Sequence, residues 1–293
     1  MLSSFLVRSS LVFVGCVVGT AQAAWEKSEQ GETAVFKMQN APYPHESRKE
    51  GFKGRSATYP RDPHYIDNSV AIFIPKGYKP QQRTDLVVYL HGHGNHIAKA
   101  LEQYKLREQV VASGKNVIFV FPEGPKNASD SGCGKLEERD GLKKLLTEVM
   151  ETLVAEGKVR GKEIGRVLLT GHSGAYLGLS FCVKHGGMGE RVTEVGLLDA
   201  SYDLLDPFVA WVAGHPKARL FSIFTDHLAA DNVYMMTEFR KRRIAYELLD
   251  DQEVKPEDQA KNRILFVHTL KLTHDQTVQW LESWLRASSL EAR

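Results

Sequence analysis

The 293-residue chain has little cysteine, little net charge and no long apolar run beyond its first 23 residues. Each shortage excludes something. The three cysteines are Cys16, Cys133 and Cys182, with no C-x-x-C spacing among them, so neither a cysteine-rich zinc cluster nor a dithiol redox pair is indicated. The formal net charge is +2, which gives nucleic acid or an anionic membrane surface no broad basic face to bind. The one dense basic run, Arg240-Lys241-Arg242-Arg243, lies in a helix-like stretch and reads as a solvated face. Past residue 23 no apolar stretch approaches the roughly 20 residues that a bilayer span needs. Repeats, low-complexity tracts and linkers that would divide the chain are also missing.

What is present begins with a leader. Residues 1–23 combine one basic residue, Arg8, an apolar run LVFVGCVVG and the small residues AQA before Ala24. That is the pattern of a secretory signal peptide. Cys16 raises a lipid-anchored alternative, but Phe13 fits poorly where a small aliphatic residue is required. The expectation is export to the periplasm or the extracellular space, with no membrane span in the mature chain. In an oxidising compartment Cys133 and Cys182 either pair or remain two thiols, and spacing does not decide which.

Residues 24–68 are polar and rich in Pro, Tyr, His and charge, and read as an extended arm over the domain with one strand at TAVFKM. Residues 69–293 alternate regularly. Apolar runs stand at SVAIFIP (69–75), DLVVYL (85–90), NVIFVF (116–121), RVLLT (166–170), EVGLL (194–198), RLFSIFT (219–225) and RILFVHTL (263–270). Helical periodicity fills 97–113, 141–157, 175–186, 206–214, 232–249 and 274–289. Continuous rather than alternating apolar runs mark strands buried on both faces. The fold class is therefore α/β, a mostly parallel sheet with helices on both sides.

In such sheets ligands bind beyond the carboxyl ends of the strands. The residues there are informative. DLVVYL is followed by His91-Gly92-His93-Gly94, and RVLLT by Gly171-His172-Ser173-Gly174-Ala175. EVGLL is followed by Asp199, RLFSIFT by Asp226, and RILFVHTL closely by His274. Serine, acid and histidine thus occur in chain order at strand ends. A serine hydroxyl needs a base within reach, histidine titrates near neutrality, and a carboxylate fixes the imidazole tautomer. A tetrahedral oxyanion needs backbone N–H donors, expected from Gly174 and from Gly92 or His93.

The GHSGA stretch departs from the G-x-S-x-G nucleophile elbow by its final alanine. Its bland alternative is a helix-capping serine. The sharp turn predicts that His172 points away from Ser173. His91, His93 and His96 could suggest a metal, but their place after the second strand fits loop and oxyanion roles better. The acid stays open between Asp199, which is favoured, and Asp226, which could instead cap the following helix. The long loop after NVIFVF carries Asp130, Lys135 and Glu137, either a solvated loop or a wall contacting substrate.

The strand followed by His91-Gly92, the elbow at Ser173 and the late His274 before a final helix resemble the α/β-hydrolase superfamily over nearly all of the mature sequence. The runs YLHGHGNH, PEGPKNASDSGCGKLEE and LLDASYD are similar to a group of exported bacterial esterase-like proteins. The resemblance implies a Ser173–His274–Asp199 triad (Asp226 the alternative acid), no metal, no cofactor, and hydrolysis of esters on a small-molecule or polymer-linked acyl substrate. Amide or peptide hydrolysis, or a non-catalytic binding role for the same fold, are the alternatives.

Overall fold

The computed structural model describes residues 24–293, so the leader-like segment lies outside the described residues. Strands β1 (Glu26–Lys27), β2 (Gly31–Lys37), β5 (Ser69–Pro75), β6 (Thr84–Leu90), β7 (Ile118–Pro122), β8 (Ile164–His172), β9 (Val192–Leu198), β10 (Arg219–Thr225), β11 (Glu247–Asp250) and β12 (Ile264–Thr269) form one sheet. Strands β3 (Phe52–Lys53) and β4 (Thr58–Tyr59) form a separate small hairpin. The sheet order is β1-β2-β5-β7-β6-β8-β9-β10-β12-β11. The strands from β7 to β11 in that order run parallel, while β1, β2 and β5 make an antiparallel flank.

The continuous apolar runs are explained by two cores. Val88, Val120 and Leu169 face one side of the sheet, and their neighbours Val87, Phe119 and Leu168 face the other. On the first side pack α4 (Gly141–Ala155), α5 (Tyr176–His185), α6 (Asp206–Gly214) and α7 (Ala229–Lys241), through Leu145, Leu179, Val209 and Met235. On the second pack α2 (Ile97–Gln103), α3 (Leu106–Ala112) and α9 (Leu281–Ala287), through Leu101, Val110 and Leu285. Each such fully buried side chain is worth roughly 1.5–3 kcal/mol of transfer free energy. Two short helices complete the set, α1 (Arg61–His64) in the arm and α8 (Pro256–Lys261) beside α9.

Three differences from the sequence pattern have local causes. The single helix expected over 97–113 is two, because Lys105 takes a left-handed φ of 48° between α2 and α3. The helix expected over 232–249 ends at Lys241, after which Arg243 has φ 57° and the chain enters edge strand β11. The 24–68 segment is more than an arm over the domain, since β1 and β2 extend the sheet by pairing with β5.

The rest of that segment folds over the carboxyl ends of the strands. Tyr43, Tyr65 and Ala128 make a small core of their own, with Phe52 and Tyr59 against it. The backbone N–H groups of Gln39 and Asn40 each donate to Glu148 of α4 at 2.7 Å. Arg48 closes a two-point ion pair on buried Asp130, Nε at 2.6 Å and Nη2 at 2.9 Å. Burial pushes the Asp130 carboxyl up, but hydrogen bonds from Arg48 and the Gly132 backbone leave it below its ordinary value. No helix among the described residues is long and apolar enough to cross a membrane.

Candidate active site

Ser173 follows β8 directly, on a turn that leads into α5. Its φ is 57°, the left-handed region that a non-glycine residue occupies only under constraint, at a cost of about 1–3 kcal/mol. The turn lifts the serine to the sheet edge. It also forces close approach below. A Cβ on Gly171 would lie 2.5 Å from the Ala175 methyl, so the final alanine of GHSGA is accommodated by the glycine that opens it.

Above Ser173 runs the loop after β6. A Cβ on Gly92 would fall 2.6 Å from Ser173 Cβ and 3.2 Å from its Oγ, so only glycine lets this loop cross the serine. The loop is braced from beneath. His91 Nδ1 donates to the carbonyl of Gly92 at 2.7 Å, and the Gly124 N–H donates to His91 Nε2 at 3.0 Å. Buried Glu123 stands 3.0 Å from the same Nε2 and takes the Ile97 N–H that opens α2. In a trans peptide, a carbonyl held on one side sends the next N–H to the other. The His93 N–H is therefore oriented away from His91. The His93 ring packs on Gly174 and hydrogen-bonds Ser131 at 2.8 Å.

The two candidate acids separate cleanly. Asp199, fully buried after β9 with φ 49°, lies 2.6 Å from His274 Nδ1. Its Oδ1 takes the Thr225 N–H and its Oδ2 the Thr225 hydroxyl, both at 2.9 Å. Burial pushes this carboxyl up, and the hydrogen bonds from His274 and Thr225 more than reverse that, leaving it below the usual aspartate value. Asp226 instead pairs with His268 at 2.8 Å, on a side chain 74% exposed. The structure thus brings Asp199, not Asp226, to His274.

His172 does turn away from the serine, as a sharp elbow requires, and it turns under the other histidine. Its ring lies 4.3 Å from the His274 ring, and its Nε2 donates to the His274 carbonyl at 3.1 Å. Burial, and then the neighbouring His274, depress its pKa to about 4.

Residues that the sequence pattern does not single out complete the arrangement. Tyr202 hydrogen-bonds His227 Nε2 at 2.9 Å, and His227 Nδ1 meets Thr225 Oγ1 at 2.6 Å. Tyr202 stands in the run LLDASYD and His227 just after Asp226, and the bond between them joins two different strand ends, which no local pattern links. Asp199, His227 and His274 are also the one group among the described residues whose ligand atoms could converge on a metal, within 4.8 Å of one another. Asp199 Oδ2 and His274 Nδ1 already bond each other, and both ring nitrogens of His227 are taken by Thr225 and Tyr202. His91, His93 and His96 do not form such a group.

A cleft of about 640 Å³ opens over Ser173. The elbow and Tyr202 form its floor, Asp130 to Gly132 one wall, and Arg48, Phe52 and Arg55 of the arm another. Asp130 thus touches the cleft while tethering the arm. Lys135 and Glu137 serve the loop itself, Lys135 binding the Gln39 carbonyl and Glu137 the Cys133 N–H. Cys133 and Cys182 are both buried and unpaired. Burial pushes the Cys182 thiol up to about 12, which suits a packing role rather than a reactive one. A larger groove of about 730 Å³ lies at the opposite sheet edge, lined by Asp85, Arg166 and Thr193, far from these groups.

Known structures share this architecture. The S954A mutant of the feruloyl esterase module of Clostridium thermocellum, complexed with sinapinate, superposes with TM-score 0.51 at 14% identity, over 90% of this chain and 95% of that one. A protein identified as FAE gives TM-score 0.50 at 11% identity, over 88% of both chains. An S-formylglutathione hydrolase (FrmB) from Staphylococcus aureus gives TM-score 0.47 at 10% identity, over 88% of this chain and 98% of that one. No protein-family model and no curated protein sequence matches the chain. The chain has the α/β-hydrolase fold seen in esterases of this kind.

Proposed function

We propose that the protein is a serine hydrolase acting on carboxylic esters through an acyl-enzyme. The observation that carries this is the 2.6 Å contact from His274 Nδ1 to a buried, ionised Asp199, in a fold that sets Ser173 on a left-handed turn at the same sheet edge. With Nδ1 held by the carboxylate, Nε2 is the ring nitrogen left to take a proton. Ser173 Oγ attacks the acyl carbonyl, its proton passes to His274 Nε2, and the carbonyl oxygen becomes an oxyanion. The Gly174 and His93 N–H groups are its expected donors. Collapse expels the alcohol, which takes the proton from His274, and water repeats the sequence to release the acid. No step calls for a metal or cofactor.

Ester hydrolysis is favoured over amide hydrolysis because the cleft is open and the leaving group needs little alignment. The experiment is direct. A fluorophosphonate should label the protein and p-nitrophenyl butyrate should turn over, and Ser173→Ala should abolish both. Labelling that survives in Ser173→Ala would sink the nucleophile assignment. A wild-type protein that neither labels nor turns over esters or anilides would instead be a binding protein on a hydrolase scaffold. The leader-like residues 1–23 support export, which N-terminal sequencing of secreted protein would test.

A further inference from the structure

The cleft over Ser173 lies to one side of the reacting groups. Ser173, Gly174 and His93 line it, but His274 does not. A tetrahedral acyl carbon bonded to Ser173 Oγ has three other substituents. The oxyanion is drawn to the Gly174 and His93 N–H groups, and the leaving oxygen to the proton on His274 Nε2. The acyl chain takes the remaining direction, into the cleft.

The charges around that space are few. Arg48 is spent, with Nε and Nη2 on Asp130 and Nη1 donating to the Ser47 carbonyl at 2.9 Å. Asp130, the one carboxylate in the lining, is buried and also takes the Tyr65 hydroxyl. Burial lowers the His93 pKa, so that ring is neutral near pH 7. Arg55 is left, exposed and with no hydrogen bond or ion pair to any described residue. The backbone fixes its place. The Gly54 N–H donates to the Ala57 carbonyl at 2.9 Å, closing a tight turn with Arg55 and Ser56 at its tip. Behind the tip Phe52 pairs with Tyr59, and both side chains pack against Tyr43, Tyr65 and Ala128. The rest of the cleft surface includes the Phe52, Tyr176 and Tyr202 rings and Leu177.

We propose that Arg55 is a specificity-determining residue and that the acyl group cleaved carries a carboxylate at its far end, so that the substrate is a half-ester of a dicarboxylic acid. The inference rests on the esterase reading and adds its substrate class. The carbon chain lies along the aromatic wall, and Arg55 receives the terminal carboxylate on its planar fork. One unpaired guanidinium balances one negative charge, and the lining has no free carboxylate to repel it. The chemistry is that of the triad. The ester C–O bond breaks, water supplies the hydroxyl of the new acid and the proton of the alcohol, and the far carboxylate leaves as it came.

The test compares monomethyl adipate with methyl hexanoate, of equal acyl length, by pH-stat titration. The wild-type enzyme should show a kcat/KM about five- to tenfold higher on the half-ester, mainly through KM, since the ion pair forms in ground state and transition state alike. The ratio should shrink at high salt. Arg55→Leu should bring it near one. Arg55→Glu should turn it below one and make methyl 6-aminohexanoate the best of the three substrates. Each ratio is taken on one enzyme, so a general loss of activity or stability cancels. A wild-type ratio below twofold, a ratio that Arg55→Leu or salt leaves unchanged, or an Arg55→Glu enzyme that does not prefer the amine overturns the assignment. If that happens while wild type hydrolyses methyl hexanoate and Ser173→Ala does not, the esterase reading stands. A wild-type protein with no turnover of any of these esters and no fluorophosphonate labelling overturns both.

Discussion

Asp199 and Asp226 both follow parallel strands, and what separates them is solvent and partners. Asp199 has no exposed surface and accepts from His274 and twice from Thr225, whereas Asp226 projects outward to His268. Asp199→Asn should therefore lower kcat by about three orders of magnitude or more by allowing the wrong His274 tautomer. Asp226→Asn should stay within twofold of wild type. Steady-state kinetics on both variants checks this, and the reverse pattern would return the acid to Asp226. Ser173 and His274 are legible as candidates in the sequence because apolar runs mark strand ends, and residues just beyond them share one edge. The choice of acid is not legible. It depends on the left-handed turn at Asp199 and on Thr225 reaching it from the next strand. Tyr202 and His227 are hidden for the same reason, since the bond between them links ends of different strands.

At the scale of elements, a sheet-edge loop does work that the strands and helices do not. The loop after β6 crosses Ser173 through Gly92 and is held by His91 from below. His91→Ala removes the donor to the Gly92 carbonyl and releases the peptide that carries the His93 N–H. The expected result is a kcat lower by about ten- to a hundredfold with little change in KM, since only the oxyanion uses that donor. An equal rise in KM would show that the loop shapes substrate binding instead. The elements themselves are largely legible: buried strands and amphipathic helices carry their periods openly. The exceptions are places where one backbone angle decides. The periodicity of 97–113 is unbroken, yet Lys105 splits it. The sequence after Lys241 is charged enough to pass for helix, yet Arg243 turns it into an edge strand.

For the whole molecule, His172 ties the site to pH. It is neutral and buried under His274, with a pKa near 4 against an ordinary 6.5. Between those values the unfolded chain binds a proton that the folded chain refuses, so stability rises with pH across the window and is lost on acidification, by roughly 3 kcal/mol in full. The urea midpoint should fall between pH 7 and pH 4.5, and His172→Gln, which keeps a donor for the His274 carbonyl, should fall less. Equal falls would remove His172 as the cause. The fold also divides labour along the chain. The expected nucleophile, base and acid come from residues 173–274, while the arm faces them with Arg48, paired to Asp130, and with Phe52 and Arg55 of a hairpin that packs on a small core of its own. That hairpin can change residue by residue without disturbing a single hydrogen bond of the chemistry. Descendants of this chain are thus free to diverge in what they cleave long before they diverge in how they cleave it.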